Sequence, residues 1–223
     1  MRRWAGAATT LAALVLGTAC SGESAGPVDG DVVQPGRPGE KSQVLDEAPV
    51  IERERANDAD VMFVQMMIPH HAQALEMSEL DPDAGASSKV AAIAERINGA
   101  QRPEIVFMSG WLTDRGFDAP TQEQIDEGTV PMEGDGHHGH GGDVHDMPGM
   151  ASEQEMDRLA AARGPAFDRL FLELMINHHQ GAVDMVSEVV RAGADQQINE
   201  LATSIAADQS AEIQRMRDLY HAL

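Results

Sequence analysis

The sequence predicts an all-α protein, an antiparallel four-helix bundle built from two repeated helical hairpins. The apolar residues are mostly strong helix formers such as Ala, Leu and Met, whereas aromatic residues make up only 4% of the chain. The segment DVMFVQMMIPHHAQALEM at 60–77 is matched by DRLFLELMINHHQGAVDM at 168–185, an offset of 108 positions. Apolar residues recur at helical spacing in both segments. Self-similarity over this length indicates a duplicated unit.

The repeat extends beyond these two segments into the helices that follow them. Six residues are matched at the same offset: Ala94, Ile97, Gln101, Glu104, Ile105 and Met108 by Ala202, Ile205, Gln209, Glu212, Ile213 and Met216. The repeated unit is therefore a hairpin of two helices, and each copy carries an adjacent pair of histidines in its first helix.

The N-terminal residues are typical of a secretory signal peptide. Two arginines precede an apolar run from Trp4 to Leu16, which is too short to form a stable membrane span. Small residues then lead to Cys20, the single cysteine, in a pattern that resembles the cleavage box of bacterial lipoproteins. We expect residues 1–19 to be a signal peptide, Cys20 to be lipidated, and residues 20–48 to form a flexible tether. Plain secretion without a lipid is the alternative.

The first hairpin is predicted over residues 49–115. Its first helix begins within residues 49–57 and ends near Leu80, where an Asp-Pro-Asp turn follows and proline disfavours a helical residue before it. Its second helix runs from about Ser88 to Leu112.

The second hairpin is predicted over residues 152–223. Ser152 and Glu155 form a capping-box pattern that begins a helix, and Gly164-Pro165 breaks that helix. The two long helices that follow are predicted at about 166–191 and 195–220.

Residues 116–151 form the one long connection between the hairpins, which is the ferritin-like arrangement of a four-helix bundle. This linker is rich in Gly and Asp and carries His137, His138, His140, His145, Met132, Met147 and Met150. A His-rich tract favours metal binding. A solvated loop whose histidines bind nothing is the alternative.

Polar side chains interrupt the apolar face of each long helix near its middle. One helix face carries Asp60, Phe63, Met67, His70, His71, Ala74 and Met77, and its repeat carries Asp168, Phe171, Met175, His178, His179, Ala182 and Met185. The following helices carry Gln101, Glu104, Gln209 and Glu212 in their apolar stripes. Since buried polar groups need partners, we expect these side chains to meet each other or a metal ion. Histidines that only hydrogen-bond to the glutamates and tie helices together are the alternative.

The candidate ligands favour copper over other metals. Di-iron sites in helical bundles use Glu-x-x-His, which the sequence lacks, whereas imidazole suits copper, iron and zinc, and thioether selects Cu(I). Met67 and His71 are four residues apart, as are Met175 and His179. The predicted metal ligands are His70, His71, Met67, Met77, His178, His179, Met175 and Met185, with Glu104, Glu212, His137, His138, His140, His145, Met147 and Met150 as further candidates. Copper is the predicted ion, with iron and zinc as alternatives.

Other classes of function find little support in the sequence. The formal net charge of −21 at pH 7 disfavours a nucleic-acid partner, because such a binder needs a basic face. The P-loop motif does not occur in the sequence. No nucleophile stands beside a base partner, so nothing in the sequence calls for an enzyme.

Both repeats resemble the domain of unknown function 305 family. The resemblance lies in FVQMMIPHHAQALEM, in FDRLFLELMINHHQGAVDM, and in the Gln and Glu of the helices that follow, and it covers about residues 55–115 and 160–223. It implies a ferritin-like helical fold in exported bacterial proteins, often lipoproteins, some of which are associated with copper binding and copper tolerance. It implies no established activity for the family as a whole.

The sequence therefore predicts an exported lipoprotein, held to the membrane by its lipid and facing outward. It would bind copper in buffering, tolerance or delivery, exchanging the ion with a donor or acceptor protein. One alternative is a ferritin-like metal-dependent oxidase that uses histidines with Glu104 and Glu212. The other is a structural or interaction domain that binds no metal.

Overall fold

The computed structural model describes residues 32–34, 39, 41–45, 55–80, 85–131 and 147–223, and the chain divides into two compact units, 1–51 and 52–223. In the first unit, strands β1 (Val32–Gln34) and β2 (Gln43–Leu45) form an antiparallel ribbon in which Val33 lies opposite Val44. This ribbon falls within the predicted tether, for which the sequence predicts no secondary structure. The predicted signal peptide, Cys20 and the linker residues 132–146 lie outside the described residues.

The second unit is all-α, which confirms the predicted fold class. Its helices are α1 (Asp58–Glu79), α2 (Ser88–Thr113), α3 (Gln122–Asp126), α4 (Glu153–Ala161), α5 (Pro165–Ala192) and α6 (Gln196–His221). Helices α1 and α2 form one hairpin, and α5 and α6 form the other. No helix in the described ranges is long and apolar enough to cross a membrane.

Side-chain caps fix where α1, α2, α4 and α6 begin. Asn57 caps α1 in a capping box with Asp60, and Ser152 caps α4 in the predicted box with Glu155. Ser87 caps α2 in the same way that Asp195 caps α6, since each side chain accepts a hydrogen bond from the backbone three residues later. Each cap satisfies an N–H that has no partner within its helix.

The two hairpins meet through α1 and α5, which cross in antiparallel directions. Met67, before the histidines of α1, shares an apolar cluster with Met185, which follows the histidines of α5. Met77, after the histidines of α1, shares a second cluster with Met175, which precedes those of α5. The histidine pairs therefore lie at the middle of the bundle, between two apolar clusters.

The two described ends of the linker are folded onto the bundle. Helix α3 carries Ile125, which is buried in the core, and the Arg102 guanidinium donates to the Ile125 carbonyl. At the other end, residues 147–151 cross α1 and α5, and we call this segment the strap. Neither end was predicted, because α3 is only five residues long and the strap has no helical periodicity.

Candidate metal centre

The predicted helix faces are buried, and the histidines are at their centre. Every residue of the two seven-residue faces is buried: Asp60, Phe63, Met67, His70, His71, Ala74 and Met77 in α1, and Asp168, Phe171, Met175, His178, His179, Ala182 and Met185 in α5. In the next helices, Gln101, Gln209 and Glu212 are buried and Glu104 is partly exposed. The helical periodicity therefore placed the candidate residues on the correct sides.

His70 and His178, the first histidine of each pair, lie in contact with each other. Their ring centroids are 3.8 Å apart at an interplanar angle of 38°, and both side chains are fully buried. His70 Nε2 lies 3.1 Å from the Pro148 carbonyl oxygen. Because a carbonyl only accepts hydrogen bonds, this assigns the His70 proton to Nε2 and leaves a lone pair on Nδ1.

Three buried ring nitrogens of the inner pair have no hydrogen-bond partner among the described residues. These are Nδ1 of His70 and both ring nitrogens of His178. One nitrogen of a neutral imidazole carries an exposed lone pair, so each ring has at least one nitrogen that is free to bind a metal ion. Buried polar atoms without a partner are rare and indicate a water, an ion or a functional role.

His71 and His179, the second histidine of each pair, bond to a glutamate on the neighbouring helix. His71 Nε2 lies 2.8 Å from Glu104 Oε2, and His179 Nε2 lies 2.9 Å from Glu212 Oε2. Each N–H donates to the carboxylate and leaves Nδ1 without a partner. Metal-ligating histidines commonly donate their other N–H to a carboxylate in this way, which orients the ring and increases its basicity.

Burial keeps the inner pair neutral. Desolvation, followed by the proximity of His71, lowers the pKa of His70 to about 3. Desolvation, followed by the proximity of His70, lowers the pKa of His178 well below its ordinary value of 6.5. Since a metal binds the neutral ring, both imidazoles are in their ligating form at neutral pH.

Methionines lie in the two apolar clusters on either side of the histidines. One apolar cluster contains Met67, Met108 and Met185, and the other contains Met77, Met175 and Met216. Within the described residues, no three side chains of His, Cys, Asp or Glu come together as a metal site. Thioether sulfur favours a soft ion, so a centre that includes these methionines would suit Cu(I).

The other candidate ligands lie in the linker. His137, His138, His140, His145 and Met132 are outside the described residues. Met147 and Met150 belong to the strap, where Met147 is buried and Met150 is half-buried. The linker tract is therefore continuous in sequence with a segment that reaches the histidine centre.

Two buried glutamines are a further part of this interior that the ligand prediction left out. Both amide atoms of Gln101 and of Gln209 are buried without a partner among the described residues. They occupy equivalent positions in the two repeats, three residues before Glu104 and Glu212. Their carbonyl oxygens are hard acceptors, suited to water or a hard cation rather than to copper.

The strap makes contacts with α1 and α5 that the sequence does not predict. The Gln73 amide donates to the Ala151 carbonyl and accepts from the Ala151 N–H, each at 2.8 Å. Gly149 lies against the backbone of α5, where a Cβ on it would approach the Asn177 carbonyl oxygen to 2.5 Å. One signal was present in the sequence, because Gly181 stands in the middle of a helix where the first repeat has Gln73.

Several solved structures are similar to this chain. The chain is similar to a DUF305 fragment from Deinococcus radiodurans, with 30% identity and a TM-score of 0.62 over 75% of this chain and 99% of that one. It is similar to a DUF305 protein from Streptomyces coelicolor that is thought to be secreted, with 28% identity and a TM-score of 0.59 over 72% and 91%. Curated protein sequences give no significant match.

A third similar structure, CopM, was solved with bound metal. In its Cu(II)-bound form it shares 32% identity and a TM-score of 0.55 over 73% of this chain and 96% of that one. It was also solved in Cu(I)-bound, Ag-bound and apo forms. The family model for a domain of unknown function (DUF305) matches residues 60–220, which include both hairpins. This chain belongs to the DUF305 family.

Proposed function

We propose that this protein binds copper outside the cytoplasm and buffers or hands over the ion, without turning over a substrate. The observation that carries the proposal is the contact between His70 and His178. Their rings lie in contact at the middle of the bundle and carry buried nitrogens without a partner among the described residues, between two clusters that each hold three buried methionines. The likeness to CopM, solved with Cu(I) and Cu(II), supports copper as the ion.

The donor set suits Cu(I) in particular. His70 and His178 supply neutral nitrogen, and Met67, Met77, Met175 and Met185 supply soft thioether sulfur. A water-excluding apolar surround also disfavours a strongly hydrated ion, since such an ion would lose its water without gaining hard ligands. His71 and His179 are oriented by their glutamates and complete the proposed ligand set.

The linker is proposed as a second, weaker site. Its four histidines would capture ions, while the buried helical histidines would hold them more tightly. Lipid attachment at Cys20 would keep both sites at the outer surface of the cell membrane, where a copper donor or acceptor protein would meet them. Extracytoplasmic location is supported by the likeness to the Streptomyces protein.

A structural role without metal is the second candidate. The hydrogen bonds from His71 to Glu104 and from His179 to Glu212 favour it, because they join the helices of each hairpin and satisfy one nitrogen of each ring. In that case the histidines would act only as buried cross-links. The free nitrogens of His70 and His178 are the feature that this candidate leaves without an explanation.

The test is Cu(I) titration against a chromogenic chelator, combined with thermal unfolding, on protein from Ser21 onward. The wild type is compared with a variant carrying alanine at the four linker histidines, and then with that variant carrying in addition His70→Leu and His178→Leu. An ion that binds only the folded state raises its stability by mass action. We expect Cu(I) to raise the Tm of the linker variant and to leave the Tm of the combined variant unchanged.

His221 provides the matched control, because it is an exposed histidine near the C-terminus of α6. His221→Ala should leave copper stoichiometry and affinity at their wild-type values. If the linker variant shows no copper-dependent rise in Tm, the helical histidines are structural and the proposal is wrong.

A further inference from the structure

The strap lies directly over the proposed copper ligands. The Pro148 carbonyl accepts the hydrogen bond from His70 Nε2, and the Gly149 backbone lies against the carbonyls of Asn177 and His178. The strap thus contacts α1 and α5 at the level where His70 meets His178. Both histidines are fully buried with the strap in place.

The close approach of the strap to α5 depends on glycine. A Cβ at Gly181 would overlap the Pro148 carbonyl, and a Cβ at Gly149 would lie 3.0 Å from Gly181 Cα. Gly149 also has φ +79°, which disfavours any other residue. In the first repeat the equivalent position is Gln73, whose amide instead pairs with both backbone groups of Ala151. The strap therefore rests on glycine on one side and is hydrogen-bonded to glutamine on the other.

Few interactions hold the strap compared with the helices beneath it. Its side-chain bonds to α1 are the two bonds between Gln73 and Ala151 and the single bond from His70 to Pro148. Met147 is its one large buried side chain. A short segment with so few buried contacts opens locally at a free energy below that of global unfolding.

We propose that the strap is a gate, and that its local displacement controls the entry and release of copper at His70 and His178. This inference rests on the proposed copper function. In the closed position the gate occupies the N–H of His70, shields both rings from solvent and bridges the two helices. Displacement frees His70 and opens the groove between α1 and α5. The ion then reaches the buried imidazoles without unfolding of the bundle.

Gly181→Ala tests the gate, because the added Cβ collides with the Pro148 carbonyl and must displace the strap. Gly110→Ala is the matched control, since Gly110 is also helical and an added Cβ there has no neighbouring heavy atom within 4 Å. In metal-free protein, carbethoxylation of each histidine is followed by mass spectrometry. Gly181→Ala should increase the modification rate of His70 and His178 by about tenfold or more, as expected when a local hydrogen-bonded contact is lost. Gly110→Ala should leave it unchanged.

Copper uptake is then measured by stopped flow on the same proteins. We expect the Gly181→Ala protein to take up Cu(I) faster by a similar factor, with a bundle that remains helical by circular dichroism. Gln73→Leu is a second variant, which removes both bonds to Ala151 while keeping the glycine contact, and it should act in the same direction.

The outcomes separate the gate from the copper function. If carbethoxylation of His70 and His178 stays at the wild-type rate in both strap variants, the strap is no gate. If carbethoxylation is faster but copper uptake by the helical histidines is not, the strap shields the histidines without controlling the ion, and the inference is overturned. If the histidines bind no copper in any protein, it is the proposed function that fails, whereas the accessibility result still reports on the strap.

Discussion

The buried carboxylate of Asp60 accepts a hydrogen bond of 3.0 Å from the backbone N–H of Asp195, which joins the start of α1 to the cap of α6. The equivalent aspartate of the second repeat, Asp168, accepts a bond of 3.0 Å from the backbone N–H of Ser87, the cap of α2. An aspartate of each hairpin thus accepts hydrogen bonds from the turn that joins the two helices of the other hairpin. The duplication seen in the sequence is also a reciprocal contact in the structure.

Asp60→Ala should destabilise the protein more than Asp168→Ala. Asp60 Oδ2 accepts three backbone N–H groups, from Asn57, Ala194 and Asp195, whereas within the described part of the chain Asp168 accepts one such bond, from Ser87. We expect a loss of about 3 kcal/mol or more for Asp60→Ala and of about 1–2 kcal/mol for Asp168→Ala. Urea unfolding measures both. The exposed Asp208→Ala serves as the control, and equal losses at Asp60 and Asp168 would contradict the reciprocal contact as described.

Removing Glu212 should cost more stability than removing Glu104. The Glu212 side chain is 8% exposed and the Glu104 side chain is 19% exposed, so water replaces the lost carboxylate more easily at Glu104. Glu212→Ala leaves the His179 N–H buried without an acceptor, which costs about 1–3 kcal/mol. Thermal unfolding of metal-free protein is the measurement. A larger loss for Glu104→Ala would show that exposure does not govern these two bonds.

The metal-free protein should lose stability as the pH falls below about 6.5. An unfolded histidine has a pKa of about 6.5, whereas burial holds the pKa of His70 at about 3 and that of His178 well below 6.5. The unfolded state therefore binds protons that the folded state does not. Each such histidine reduces the free energy of unfolding by about 1.4 kcal/mol per pH unit below that point.

Urea unfolding of chelator-treated protein between pH 5.5 and 7.5 measures this dependence. His178→Leu should reduce the slope by about one proton relative to the wild type, since leucine does not titrate. The carboxylates that titrate at lower pH are common to both proteins and cancel in the comparison. Parallel slopes would mean that His178 is protonated within the fold.

The methionines should affect copper affinity without changing the fold. Met67→Leu with Met185→Leu alters one apolar cluster, and Met77→Leu with Met175→Leu alters the other. Leucine conserves volume, so each replacement should cost less than about 1.5 kcal/mol of stability. We expect Cu(I) affinity to fall in the double variant whose sulfurs ligate the ion. Unchanged affinity in both variants would exclude these four sulfurs as ligands.

Sequence periodicity was sufficient for the helices and for the composition of the candidate centre. Helical spacing placed His70 and His178 on buried faces, and the capping-box pattern of Ser152 with Glu155 indicated where α4 begins. These features depend on residues close in the chain. The repeat then predicted that each candidate residue of one hairpin has an equivalent residue in the other.

The pairing of distant residues could not be read from the sequence. Contact between His70 and His178 requires α1 and α5 to cross in antiparallel directions, which no local pattern specifies. The strap depends on the absence of a side chain at Gly181, and a glycine within a helix has several explanations. Helix α3 was missed because one buried side chain, that of Ile125, is too few to show the helical periodicity of apolar residues.

The contact between His70 and its own counterpart, His178, has a consequence for the origin of the chain. Two identical hairpins meeting at this point would form an isologous homodimer, in which every residue on the axis meets itself. Joining the two hairpins in one polypeptide frees the copies to diverge. Gln73 and Gly181 have done so, and the strap needs a glutamine on one helix and a glycine on the other. A homodimer would carry the same residue at both places, so a cover that needs glutamine on one helix and glycine on the other requires both hairpins in one chain.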